Sequence, residues 1–153
     1  MDKNIIKTLM CEVPHFDMLD KNELEIMADH IDYMKVDKGN TLVKEGSVGD
    51  SLFYVIRGLI EIQKEALDGR QTVLARFSKG ATVGEMAIVE KAVTRSATAT
   101  SLERSELLVL TRKSFDELAK SHPTVALKIV QNIAGMLSQR LRYTSGRFAD
   151  VFQ

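Results

Sequence analysis

The sequence predicts a mainly β fold, a double-stranded β-helix or jelly-roll β-roll, with N-terminal helices and a long C-terminal helix. Three observations predict it. From Ile31 the apolar residues stop recurring at helical spacing and fall into short runs separated by glycine. Ile60 and Ile62 alternate with Glu61 and Gln63, the period of a sheet with one wet face. The gaps between runs are too short for crossover helices, so the strands pair antiparallel in stacked sheets.

Residues 1–31 form a helical lead-in, with helices over 4–9 and 21–31. In the second, Leu24, Met27 and Ala28 recur on one face, and Asp20 or Asn22 supplies the cap. The β-roll spans 31–111, with strands over 31–36, 41–44, 52–57, 59–65, 71–77, 95–102 and 106–111 and a brief one near Thr82. Asp68-Gly69 between two of these runs signals a hairpin. Gly39, Gly46, Gly49 and Gly58 mark turns. In the C-terminal region, 112–153, Ser114 caps a helix over 115–120, and Pro123 opens a longer one running to about Arg142 or beyond. That helix carries two stripes. Val130, Ala134, Leu137, Leu141, Thr144, Phe148 and Val151 follow the alternating spacing of a coiled-coil seam, while Ile129, Ile133, Met136 and Tyr143 suit packing on the β-roll. A helix serving its own domain and a second copy reads this way; a wide buried face is the plainer alternative. Gly146 marks a possible bend.

Composition narrows the function. At 153 residues the chain is one domain, and its 21 basic residues balance 21 acidic ones, so no net field favours nucleic acid or an anionic membrane. Cys11 is the single cysteine, which excludes an internal disulfide and a cysteine-built metal cluster. His15 and His30 have no second ligand at useful spacing, so no metal is expected. There is no nucleophile paired with a base and no P-loop, so no enzyme activity is expected. No signal pattern or membrane-length apolar run occurs, so the cytoplasm is the expected location.

The chemistry gathers in 83–98. Val83-Gly84-Glu85-Met86-Ala87-Ile88 follows strand-like sequence, and Arg95-Ser96-Ala97-Thr98 opens the next strand. Gly84 allows close approach of the backbone, and the N–H groups of Met86 and Ala87 open a helical turn facing an anion. If Arg95 folds back to the same point, its guanidinium grips a phosphate in two places. Glu85 beside a phosphate suits sugar hydroxyls. A ribose and a phosphate one side-chain length apart describe a cyclic nucleotide.

These residues resemble the phosphate-binding cassette of the cyclic-nucleotide-binding domain family, G-E-x-[AG]-[LI] followed by R-[ST]-A-[ST]. Gly84, Glu85, Ala87, Ile88, Arg95, Ser96, Ala97 and Thr98 match it. Lys38-Gly39, Glu45-Gly46, Gly49-Asp50, Ile56 and Gly58 fall at the family's spacing, and Arg140 to Ser145 resembles the helix end of its bacterial catabolite activators. The resemblance implies Glu85 on the ribose 2′-hydroxyl, Arg95 as phosphate clamp and Ser96 as a further phosphate donor. It implies Ile62 and Leu74 along the base, Thr144 and a partner subunit's Ser145 on adenine, and Arg140 paired with Glu85. Ala75 stands where the activators have a pocket serine, which loosens base preference. The implied ligand is cyclic AMP, with cyclic GMP or a cyclic dinucleotide as alternatives, and the implied assembly is a homodimer through the C-terminal helix. Residues 146–153 are too short for a helix-turn-helix module, so the expectation is a stand-alone sensor without DNA binding, acting on an unidentified protein partner. The rival expectation is a β-roll interaction module that no longer answers to nucleotide.

Overall fold

The computed structural model describes residues 1–151. The last two residues of the expected C-terminal region lie outside them. Asp2 caps α1 (Lys3–Met10) by accepting from the Asn4 N–H at 2.9 Å. A 3₁₀ turn, Pro14–Phe16, leads to α2 (Lys21–Ala28), which opens on a reciprocal cap between Asp20 and Glu23. Helix α2 stops short of Ile31 because Asp29 takes the C-cap.

The eight strands are β1 (Asp32–Val36), β2 (Thr41–Val43), β3 (Ser51–Arg57), β4 (Ile60–Glu65), β5 (Gln71–Phe77), β6 (Thr82–Val83), β7 (Thr98–Ser101) and β8 (Ser105–Thr111). They form two antiparallel four-stranded sheets, ordered β1-β8-β3-β6 and β2-β7-β4-β5. This is the jelly-roll arrangement that the glycine-punctuated pattern predicts. The short helix α3 (Met86–Val89) interrupts the roll between β6 and β7. Strand β7 begins at Thr98, not at Arg95, because the Arg95 N–H bonds Ser47 O at 2.7 Å and turns the chain into a loop.

Helices α4 (Arg112–Ser121) and α5 (Pro123–Val151) close the chain. The cap of α4 is Thr111, whose hydroxyl accepts from the Ser114 N–H at 3.1 Å; Ser114, the expected cap, sits inside the first turn. Helix α5 continues through Gly146, where the surroundings are open within 4 Å. At about 1.5 Å per residue its 29 residues span roughly 43 Å.

Strand β3 explains how the layers join. Every residue from Ser51 to Ile56 is buried, because both faces of the strand are covered. By the two-residue period Leu52, Tyr54 and Ile56 meet the helices, packing with Met10, Phe16, Met27, Phe115, Leu118, Ile129 and Ile133. Phe53 and Val55 point into the roll, with Val36, Ile60, Val83, Ala99 and Leu107. On α5 the expected roll-facing residues Ile129 and Ile133 are buried, but Tyr143 is 69% exposed. Val130 and Leu137 of the expected seam pack partly against the core, whereas Leu141 and Val151 are exposed.

The chain crosses between sheets at Gly58, where φ is +104° and an added Cβ would overlap the Ser105 side chain and lie 2.6 Å from its Cα. Gly58→Ala therefore combines left-handed strain with overpacking. It should lower unfolding free energy by at least about 2 kcal/mol, read as a lower urea midpoint, with an unchanged midpoint counting against this account.

Candidate cyclic-nucleotide site

Strand β6 delivers the chain from the roll core to Gly84, whose φ of +83° is open to glycine. A Cβ there would overlap Arg95 Nη1 and come within 2.8 Å of Ser51 O. Close approach is thus built into the site from both directions. Arg95 lies across the gap, donating from Nη2 to Ser51 O at 2.8 Å and from Nη1 to Gly84 O at 3.4 Å. Gly49 gives it room, since a Cβ at that position would lie 3.1 Å from Arg95 Nε.

Arg95 is only 8% exposed, yet its partners are backbone carbonyls and it makes no ion pair among the described residues. Burial pulls its pKa down, and the charges of Asp50 and Glu85 push back in the opposite direction. Around it the N–H groups of Gly84, Glu85, Met86, Ser96 and Ala97 make no bond within the described structure. A buried cation facing carbonyls, with unpaired N–H groups beside it, is chemically suited to receive an anion.

Glu85 supplies the opposite sign. Its side chain is 10% exposed, and Oε1 is paired with Arg140 Nη1, while Oε2 has no partner among the described residues. Arg140 also donates from Nη2 to Thr82 O at 3.2 Å and lies 5.2 Å from the Phe77 ring centroid. Helix α5 is thereby fastened over the cassette. Lys64 steadies the other lip, donating to Ser96 O at 2.7 Å and pairing with Glu45 at 3.2 Å.

These groups surround a cavity of about 230 Å³. Gly84, Glu85, Met86, Arg95, Ser96, Arg140 and Ile62 of the expected site line it. Ala87 does not; it is buried beneath the turn, and its N–H bonds Gly84 O at 3.1 Å instead of facing an anion. Leu74 is a correction. Strands β4 and β5 pair Ile62 with Ala75 and then Gln63 with Val73, so Leu74 occupies a bulge and points outward, 56% exposed. Phe77, two positions on from Ala75, is the residue that the pleat turns into the cavity. That parity was readable in the alternation; the bulge was not. Val43, Val83 and Ala99 complete the apolar wall. Thr144 and Ser145 are exposed on α5 away from this cavity, and the Thr144 hydroxyl donates to Arg140 O at 3.0 Å.

Among the described residues no cluster of three metal-ligating side chains occurs, and no helix is long and apolar enough to cross a membrane. Comparison with known proteins adds the family. Residues 33–122, more than half of the chain, match the cyclic nucleotide-binding domain. The cyclic AMP receptor protein of Thermus thermophilus is 30% identical over 129 residues, 84% of this chain and 57% of that protein. A lysophospholipase of Neurospora crassa is 29% identical over 71% of this chain, which spans 7% of that enzyme's length. The crystal structure of a cyclic nucleotide-binding domain from Methylobacillus flagellatus superposes with a TM-score of 0.81 at 21% identity, covering 95% of this chain and 81% of that one. Fold, cassette and sequence agree: the chain belongs to the cyclic nucleotide-binding domain family.

Proposed function

We propose that this domain is a regulatory sensor that binds cyclic AMP in the cavity between the cassette and α5. The observation that carries this reading is Arg95, a buried guanidinium facing the cavity with carbonyls as its only hydrogen-bond partners. The cyclic phosphate takes the vacant donors of Arg95 and the N–H groups of Gly84, Glu85, Met86, Ser96 and Ala97, with the Ser96 hydroxyl beside them. The ribose 2′-hydroxyl donates to Glu85 Oε2. The base lies along Ile62 and Phe77, with Arg140 over it. Similarity to a cyclic AMP receptor protein at 30% identity favours this nucleotide over cyclic GMP.

Output runs through α5. Arg140 joins that helix to the residue proposed to hold ribose, so ligand and helix position are linked through one carboxylate. The apolar residues beyond Arg140, with Leu141 68% and Val151 78% exposed, form the proposed homodimer seam, which brings Thr144 and the second copy's Ser145 toward the base.

Calorimetric titration tests the site. Cyclic AMP should bind more tightly than cyclic GMP or cyclic di-GMP, and absence of heat at high micromolar ligand with folded protein overturns the reading. Arg95→Ala should weaken binding by about 2–5 kcal/mol, since the phosphate loses its buried counter-charge. Glu85→Ala should cost less, about 1.5–3 kcal/mol, for one charged hydrogen bond; either variant binding like the parent removes that residue from the site. In sedimentation the parent should run as a dimer and Leu141→Lys as a monomer. A monomeric parent rules out the seam.

A further inference from the structure

Helix α5 meets the strand that carries the cassette at three levels. Arg140 holds Glu85 and Thr82 O, and Met136, one turn back, accepts from the Thr82 hydroxyl at 2.9 Å. One turn further back, Asn132 reaches the strand indirectly. Its Oδ1 lies 2.9 Å from His15 Nδ1, and His15 Nε2 lies 2.8 Å from Gly80 O. Residues 132, 136 and 140 form one stripe, about 12 Å along the axis. Their targets Gly80, Thr82 and Glu85 follow in the same order along the cassette's approach. The third level therefore depends on a side chain from the N-terminal 3₁₀ turn.

We propose that His15 is a positioning residue for the nucleotide site: it ties the chain entering β6 to α5 and so sets the level at which Arg140 meets Glu85. This rests on the function proposed above. His15 is well placed for it, being half-buried with its ring 5.7 Å from that of fully buried Tyr54. Phe16, next in the same turn, packs on Tyr54 at 4.7 Å and fixes the turn against the core.

The imidazole suits the task because both nitrogens are used. Gly80 O only accepts, so Nε2 carries a hydrogen. When the ring is charged, Nδ1–H donates to Asn132 Oδ1. When it is neutral, the Asn132 amide turns and donates its N–H to Nδ1. That side chain has no other hydrogen-bond partner among the described residues, so nothing opposes the turn. The link thus persists in both charge states of the ring.

The test uses the full chain without nucleotide, following amide hydrogen exchange over 80–85 and 133–140. His15→Phe keeps the ring and loses both bonds; His15→Gln keeps a donor and an acceptor; Asn132→Leu cuts the link from the other side. Exchange in both segments should rise about tenfold in His15→Phe and Asn132→Leu, which break the link by removing two hydrogen bonds and one, respectively. It should stay within about twofold of the parent in His15→Gln, with β3 and β8 protected throughout as a control for folding. The double variant His15→Phe/Asn132→Leu should be no worse than either single one. Parent-like exchange in His15→Phe, or equal losses in the Phe and Gln variants, overturns the proposal. In parallel, cyclic AMP affinity should fall about three- to tenfold in His15→Phe and recover in His15→Gln. Failure of the parent to bind nucleotide while the exchange pattern holds leaves the link standing and removes the proposed ligand instead.

Discussion

The site depends on the lodging of one guanidinium against two backbone carbonyls. Arg95 is held by Ser51 O and Gly84 O, so its position is set by the end of β3 and the end of β6, not by a carboxylate. An acidic partner at contact distance would neutralise the cation and compete with any incoming anion. Carbonyl dipoles orient the fork while leaving its full charge, and burial makes that charge costly to leave without a counter-ion. The rest of the architecture serves this contact. Gly84 and Gly49 clear the space, β3 is fixed on both faces, and the loops around Ser47 and Arg95 are knit to each other by backbone hydrogen bonds.

Glu85 shows a different use of charge. Its carboxylate is divided: Oε1 is taken by Arg140 of α5, Oε2 has no partner among the described residues, and the residue lines the cavity. A single residue thus belongs both to the cavity wall and to the attachment of the longest helix. Membership of the family establishes the type of domain. The identity of the nucleotide and the use of the helix as a seam belong to the proposal, supported by the division of that carboxylate and by the apolar side chains beyond Arg140.

Much of this was legible in the chain. Glycine spacing and the alternation around Ile60 gave the roll, because turns that demand positive φ and a half-wet sheet leave direct marks on residue type. The cassette was legible because Gly84, Glu85 and Arg95 do chemistry with side chains or by the lack of one. What was hidden was carried by the backbone or by local irregularity. Ser51 contributes a carbonyl that any residue could offer. Leu74 was assigned to the wall on the family resemblance alone, and in this chain β5 bulges there and turns it outward. Ala87 was expected to offer its N–H outward, but the turn folds tightly enough to use it internally. Thr111 displaced Ser114 as cap by a helix start three residues earlier than the apolar pattern indicated.

Strand β3 has a final consequence. Its side chains alternate between the helical layer and the interior of the roll, and its first carbonyl anchors the arginine. A party wall of this kind has no slack on either side, because a shift that relieves crowding among the helices must be absorbed by Phe53 and Val55 next door. Volume changes at Met27 or Phe115, which pack in the helical layer and do not line the cavity, are thereby passed through β3 to the cassette: the neighbours of the site extend to residues that never touch it.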